Sequence, residues 1–237
     1  MATHTESLKF DLERVESTLF LWRDILTDNK LPRNGVVVEV APGYEPKIGN
    51  ALALLGFCGT LFVVEPDRKA IKHLKSIYKK ILPRATVKMI AKPLESVVVK
   101  IDCSSGIDAL LASHPFDDMV IASIVKDKNF FSQEKKDGEI LSNTINGFYK
   151  RLSDDDYLKG IKCAVAVWKK TIENLAPSFF VASQYPSHTL TMKGLTQRQN
   201  SGYAVLDELK EFYKDNLKLK DYKEFGFKGN SRWWIVK

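Results

Sequence analysis

The sequence predicts an α/β protein with a doubly wound, mostly parallel seven-stranded sheet, an antiparallel hairpin at its C-terminal edge and an N-terminal helical arm. Three observations point there. Short apolar runs that do not alternate, such as Val36 to Ala41 and Leu61 to Glu65, read as strands buried on both faces, as in a parallel sheet covered by helices. Between them lie longer stretches whose apolar residues recur three and four apart, the period of an amphipathic helix. The two kinds of segment alternate along the chain, the order that builds β-α-β units.

Taken in order, Leu8, Leu12, Val15, Leu19, Trp22 and Leu26 place one apolar stripe on a helix from Thr5 to Asn29. Asn34-Gly35 breaks it, and Val36 to Ala41 is the first strand. Pro46 suits the first turn of the next helix, where its missing N–H is not needed; Ile48, Ala51, Leu52 and Leu55 face inward until Gly56 ends it. Leu61 to Glu65 is the second strand. After Pro66 a basic helix runs from Asp67 to about Lys80, with Ile71, Leu74, Ile77, Tyr78 and Ile81 inward. Alternation over Thr86 to Ala91 predicts the third strand. Val97 to Ile101 reads equally as a strand or a helical turn. Ile107 to Ala112 reads as helix, and Phe116 to Ser123 as the fourth strand.

A polar, charge-dense insertion is expected over residues 126–156. Ser153 to Asp156 supplies a cap and first-turn acids for a helix from Tyr157 to Asn174. Ser178 to Tyr185 is the fifth strand, Pro186 to Gly202 a Ser/Thr/Gln-rich loop, and Tyr203 to Leu217 a further helix. Tyr222 to Phe227 and Arg232 to Lys237, joined at Gly229-Asn230, form the edge hairpin. Residues 1–237 are expected to be one domain, with residues 1–33 as its arm.

Composition narrows the classes. Of 237 residues, 44% are hydrophobic and 27% charged, ordinary for a globular protein. No apolar run approaches the roughly 18 residues that span a bilayer, and the N-terminus lacks a signal-peptide layout, so a cytosolic protein with no membrane partner is expected. Cys58, Cys103 and Cys163 lack metal-site spacing and read as small core residues; no metal is predicted. The net charge is +7, of which residues 119–237 contribute +6, so the second half is the one that would steer toward phosphate-rich partners.

Ligands of wound sheets bind beyond the carboxyl ends of the strands. Glu39, Glu65 and Ser123 end or nearly end their expected strands and so face that rim. Asp117, Asp118 and His114 fall on the far side. Glu39 sits in an otherwise apolar strand, and an unpartnered carboxylate out of water costs several kcal/mol, so it must be either at a wet strand end or assigned to something.

On these residues the chain resembles the class I, Rossmann-like S-adenosylmethionine-dependent methyltransferases over residues 36–237. In VVVEVAPGY, Glu39, Ala41, Gly43 and Tyr44 occupy the acidic strand end and glycine-rich turn of that family; in LFVVEP, Glu65 and Pro66 occupy the second strand end, whose acid grips the ribose hydroxyls. The resemblance implies S-adenosylmethionine as cofactor, with Leu94 near adenine and Ser123 on the same rim. The family's E/D-x-G-x-G-x-G pattern is eroded to Ala41, Gly43 and Glu45, and the turn fits a dinucleotide even less well, since a pyrophosphate wants G-x-G-x-x-G without a carboxylate beside it.

Methyl transfer from a sulfonium is an in-line displacement that asks chiefly for alignment, so no compact catalytic motif is expected. Asp127, Tyr185 and His188 are the groups placed to orient or deprotonate an acceptor. The D/N-P-P-Y/F run of base-amine methyltransferases is replaced after the expected fourth strand by ASIVKD, against that subclass. The acceptor is left open between a small molecule and RNA, and oligomeric state is left open too. The alternative is a catalytically inactive module of methyltransferase shape, in one version RNA-binding.

Overall fold

A computed structural model of the chain describes residues 18–97, 106–125, 143–218 and 232–236. Helix α1 covers 18–28. Along the chain come β1 (Val36–Val40), α2 (Lys47–Leu54), β2 (Thr60–Val64), α3 (Arg68–Ile81), β3 (Thr86–Ile90), β4 (Ala109–Ser113), α4 (Phe116–Ile124), α5 (Asn143–Arg151), α6 (Asp154–Leu175), β5 (Phe179–Gln184), α7 (His188–Met192), α8 (Thr196–Phe212), β6 (Leu217–Lys218) and β7 (Arg232–Val236). The sheet order is β3-β2-β1-β4-β5-β7-β6. Strands β1 to β5 are parallel, with Val38 opposite Phe62 and Leu110, and β7 joins β5 antiparallel.

Alternation along each strand divides the core in two. Val38, Val40, Phe62, Leu110 and Phe180 point to one face and pack with Phe116, Val120, Trp168, Val205 and Leu209 of α4, α6 and α8. Val37, Leu61, Val63, Leu111 and Val181 point to the other and meet Trp22, Ile25, Ile48, Leu52, Leu74 and Tyr78 of α1, α2 and α3. Helices on both faces explain why β1, β2 and β4 carry near-continuous apolar runs.

The structure corrects the order of one pair of elements. Ala109–Ser113, expected to be helical, is β4, and Phe116–Ile124, expected to be the fourth strand, is α4. Both are short apolar runs, and periodicity alone does not separate them. Pairing does: Ala109–Ser113 lies in register between β1 and β5. Pro115, with Asp117 and Asp118 in the first turn, starts the helix where a macrodipole favours acids.

The expected loop from Pro186 to Gly202 is largely helical, because Arg198, Ser201 and Gly202 are buried against α4 and β5 and that packing overrides their weak helical propensity. Ser153 caps α6 in a capping box with Asp156. Cys58 and Cys163, expected inside, are exposed, in the turn before β2 and on the outer side of α6. Cys103, residues 126–142 of the expected insertion and the Tyr222–Phe227 arm of the expected hairpin lie outside the described residues; the observed partner of β7 on that edge is the two-residue β6.

Candidate functional site

Two turns meet at the carboxyl ends of β1 and β2. After Val40 the chain passes through Ala41 and Gly43, both in the left-handed region at φ 50° and 63°. Glycine adopts this conformation freely, whereas alanine pays about 1–2 kcal/mol. Glu65, one residue beyond β2 and 5% exposed, straps the turns together. Its Oε2 accepts from the Gly43 N–H at 2.9 Å and its Oε1 from the Asp67 N–H at 2.9 Å. Asp67 caps α3 by accepting from the Lys69 N–H, and its other oxygen accepts from the Tyr44 hydroxyl at 3.0 Å. Burial and that carboxylate push the Tyr44 phenol up to about 12. Glu45, the departure from the family turn, lies outward and pairs with Lys47 at 2.8 Å.

Glu39 takes a different path. Next to last in β1 and 1% exposed, it points toward α3, where the Tyr78 hydroxyl donates to its Oε2. Burial pushes its carboxyl up to about 7, against the Tyr78 hydrogen bond and with a smaller push from Glu65. The Tyr78 ring fits there because α2 carries Gly49: a Cβ at that position would lie 2.1 Å from the ring. The strand charge is thus assigned to a buried phenol, and Glu65 rather than Glu39 holds the turn's amide.

A second polar cluster gathers at the ends of β4 and β5. His114, at φ 62°, comes directly after β4; its Nε2 lies 2.7 Å from the Tyr185 carbonyl and its ring 4.1 Å from the Tyr185 ring. Asp117, 3% exposed, accepts from the Gln184 side chain at 3.0 Å and faces His114 Nδ1 at 3.5 Å and Arg198 Nε at 3.4 Å. Arg198 also pairs with Asp118. Lys47 donates to the Tyr185 hydroxyl at 2.6 Å, joining this cluster to the β1–α2 turn. Burial would lower the Lys47 ammonium, but Tyr185 and Glu45 hold it above the usual lysine value. Ser113 and Ser183, opposite each other in register, keep buried hydroxyls with no hydrogen-bond partner, as does the Gln184 carbonyl.

The structure therefore brings Glu39, Ala41, Gly43, Tyr44, Glu65 and Pro66 to adjoining strand ends. Leu94, 5% exposed, sits in the 3₁₀ turn Leu94–Ser96 beyond β3, and Tyr185 lies at the end of β5. His188 opens α7 three residues later. Asp127 lies outside the described residues. Ser123 is corrected: it is exposed in the last turn of α4, its hydroxyl donating to the Met119 carbonyl, because a helix leaving the rim carries its C-terminus away from it. His114 and Asp117, assigned to the far side, are at the rim for the same reason. Lys47, Gln184 and Arg198 escaped sequence reading. The signal for His114 and Asp117 was present in Pro115 followed by two acids, a helix start.

Strand β4 ends at Ser113 and leads into His114-Pro115-Phe116 rather than ASIVKD, so ASIVKD no longer bears on the base-amine subclass. Phe116 itself is fully buried, edge-on to Trp168, and offers no face to a ligand.

A five-stranded parallel core wound in the order 3-2-1-4-5, with an antiparallel strand beyond β5, is the fold of the class I S-adenosylmethionine-dependent methyltransferases. Among solved structures the chain is similar to the bifunctional kinase-methyltransferase WbdD, with a TM-score of 0.51 and 11% identity over 94% of this chain and 38% of that one. It is similar to magnesium protoporphyrin IX methyltransferase (ChlM) from Synechocystis PCC 6803 with bound SAH, with a TM-score of 0.51 and 10% identity over 100% of this chain and 88% of that one. It is also similar to NSun6 from Pyrococcus horikoshii with SFG, with a TM-score of 0.50 and 14% identity over 93% and 50% of the two chains. At these identities the likeness concerns the fold. No family model matches the sequence, and no curated protein matches it. Among the described residues no helix is long and apolar enough to cross a membrane.

Proposed function

We propose that the protein is an S-adenosylmethionine-dependent methyltransferase that holds its cofactor at the β1–β2 lip and its acceptor at the β4–β5 lip. The observation that carries this reading is Glu65: an acid one residue past β2 whose carboxylate plane is fixed by two backbone amides, one of them from the Gly43 turn. The residues present suit an adenosyl group. Vicinal ribose hydroxyls are donors matched to one carboxylate, and Gly43 has no Cβ to hold a ligand off the turn; Leu94, beyond β3, lies in the core with only its edge exposed. Glu45, turned outward onto Lys47, leaves the turn clear of its charge.

When bound, the cofactor supplies a methyl on a sulfonium whose leaving group is already good. The chain's own work is alignment and exclusion of water. Tyr185 stands at the acceptor lip with its hydroxyl fixed by Lys47 and its backbone fixed by His114. In this reading its phenol oxygen orients the acceptor by accepting a hydrogen bond from it, and His188 and Asp127 are the candidates to take up the acceptor's proton when there is one to lose.

Replacing Glu65 would also unstrap two amides, so the cleaner test changes the ligand. Calorimetry should show S-adenosylhomocysteine binding and its 2′,3′-dideoxy analogue binding at least tenfold more weakly, since each hydrogen bond to a charged acceptor contributes about 1.5–3 kcal/mol. Equal affinities would remove Glu65 from ribose recognition. If neither compound binds, the Glu65 strap is purely structural and the inactive-module reading takes its place.

A further inference from the structure

We infer that the outer face of α3 and the edge of the sheet beside it form a docking track for a nucleic-acid phosphate backbone. Residues 66–94 contain nine Lys/Arg and a single Asp/Glu, a balance of +8 in a chain whose total is +7. The +6 of residues 119–237 is spread over 119 residues, whereas these 29 residues carry +8, the densest positive stretch of the chain. Arg68, Lys69, Lys72, Lys75, Lys79 and Lys80 are all exposed on α3, which contains no acidic residue at all.

Their spacing matters as much as their number. Arg68, Lys72, Lys75 and Lys79 fall at steps of four, three and four, one stripe about 16 Å long at 1.5 Å per residue. Such a stripe is self-repelling, and like charges at these spacings destabilise a helix unless something neutralises them. None of these six side chains makes an ion pair within the protein among the described residues. Arg84, after α3, and Lys88, on the outermost strand β3, are exposed on the same edge.

A polyanion is the partner that fits, and the apolar pattern decides which kind. A helix that lies on a membrane needs an exposed apolar face to insert. Here Ala70, Leu74 and Tyr78 are buried in the core, and Ile71, Ile77 and Ile81 are half-buried on the same side, so the outward face is cationic with no apolar face to insert. Nucleic acid requires only phosphate neutralisation from such a surface, without base readout. The α3 N-terminus lies beside Glu65, so a strand running along the track ends at the candidate cofactor lip. The track itself stands whether or not methyl transfer occurs.

The test compares the full chain with Lys72→Gln/Lys75→Gln/Lys79→Gln and with a control of equal charge change on α6, Lys159→Gln/Lys162→Gln/Lys170→Gln, whose lysines are also exposed. Binding of a fluorescein-labelled oligouridine of about 20 nucleotides is measured by anisotropy from about 50 to 200 mM salt, and the dependence of log K on log salt is fitted. The α3 variant should bind at least tenfold more weakly and lose about 2 from the slope, three contacts at about 0.7 each for a single strand. The control should change less than twofold, and all three proteins should share one melting temperature and one S-adenosylhomocysteine affinity. An oligothymidine of the same length distinguishes RNA from DNA; equal binding of both assigns recognition to phosphate alone. The inference is overturned if wild type fails to bind either oligonucleotide at the lowest salt, if both triple variants lose equally, or if phosphatidylserine vesicles bind in an α3-dependent way while oligonucleotides do not.

Discussion

Glu39 is a carboxylate inside a strand, and its protonation state contributes to the stability of the protein. Its folded value of about 7 lies above the ordinary 4.5, so the folded state binds the proton more tightly. That contribution is complete below about pH 4.5 and disappears as pH rises through 7. The difference corresponds to about 3 kcal/mol. Glu39→Gln keeps an acceptor for the Tyr78 hydroxyl and carries no titrating proton. Urea denaturation between pH 4.5 and 8 should therefore show wild type losing about 3 kcal/mol relative to this variant; parallel pH profiles would show that Glu39 is ionised throughout. The sequence exposed the anomaly at Glu39 but not its resolution, because Tyr78 is 39 residues away and reaches it only when α3 has packed over Gly49.

Between elements, close approach is set by glycines. Gly160 lets α6 lie on α4: a Cβ there would be 2.9 Å from both the Val120 carbonyl oxygen and its Cγ1. Gly147, in α5, has nothing within 4 Å of the corresponding position. Alanine at the first site should destabilise by about 1–3 kcal/mol through overpacking, less what helix propensity returns. Alanine at the second should stabilise by roughly 0.5–1 kcal/mol. Chemical denaturation of the two variants checks both signs, and equal effects would refute the α4–α6 contact. The same scale holds the main misreading of the sequence. ALLAS and FDDMVIAS are both short and apolar, and only sheet pairing on one side and first-turn acids on the other distinguish them. Exchanging them moved His114 and Asp117 to the wrong end of the sheet and brought Ser123 to the rim, where it does not belong.

Across the whole molecule, Arg198 of α8 ties the end of the helical layer to α4, pairing with Asp117 and Asp118 and lying 4.6 Å from the Tyr149 ring centroid. Asp117 and Arg198 are 3% and 4% exposed, so removing one leaves a buried charge. Arg198→Met should cost about 3–5 kcal/mol, while Arg198→Met combined with Asp117→Asn should cost clearly less than the sum of the singles. Additivity in denaturation experiments would show that the two do not act as a pair. Charge is also organised at this scale. A count by halves assigns the excess to residues 119–237, whereas the sharpest concentration, residues 66–94, lies in the nearly neutral half and becomes a surface only when α3 and β3 are placed side by side.

The sequence by itself determined that the chain winds strands and helices alternately, that β1 and β2 end near acids, and that one glycine of the family pattern, Gly43, remains in the turn after β1. Those are local facts, written in the period of apolar residues and in turn chemistry. Only the tertiary structure decided which of two like segments is β4, that Glu65 takes the Gly43 amide while Glu39 is assigned to Tyr78, and that Lys47, His114 and Tyr185 meet at one rim. Each of these depends on partners distant in the chain, and a segment's own residues carry no record of which strand, helix or charge will be packed against it.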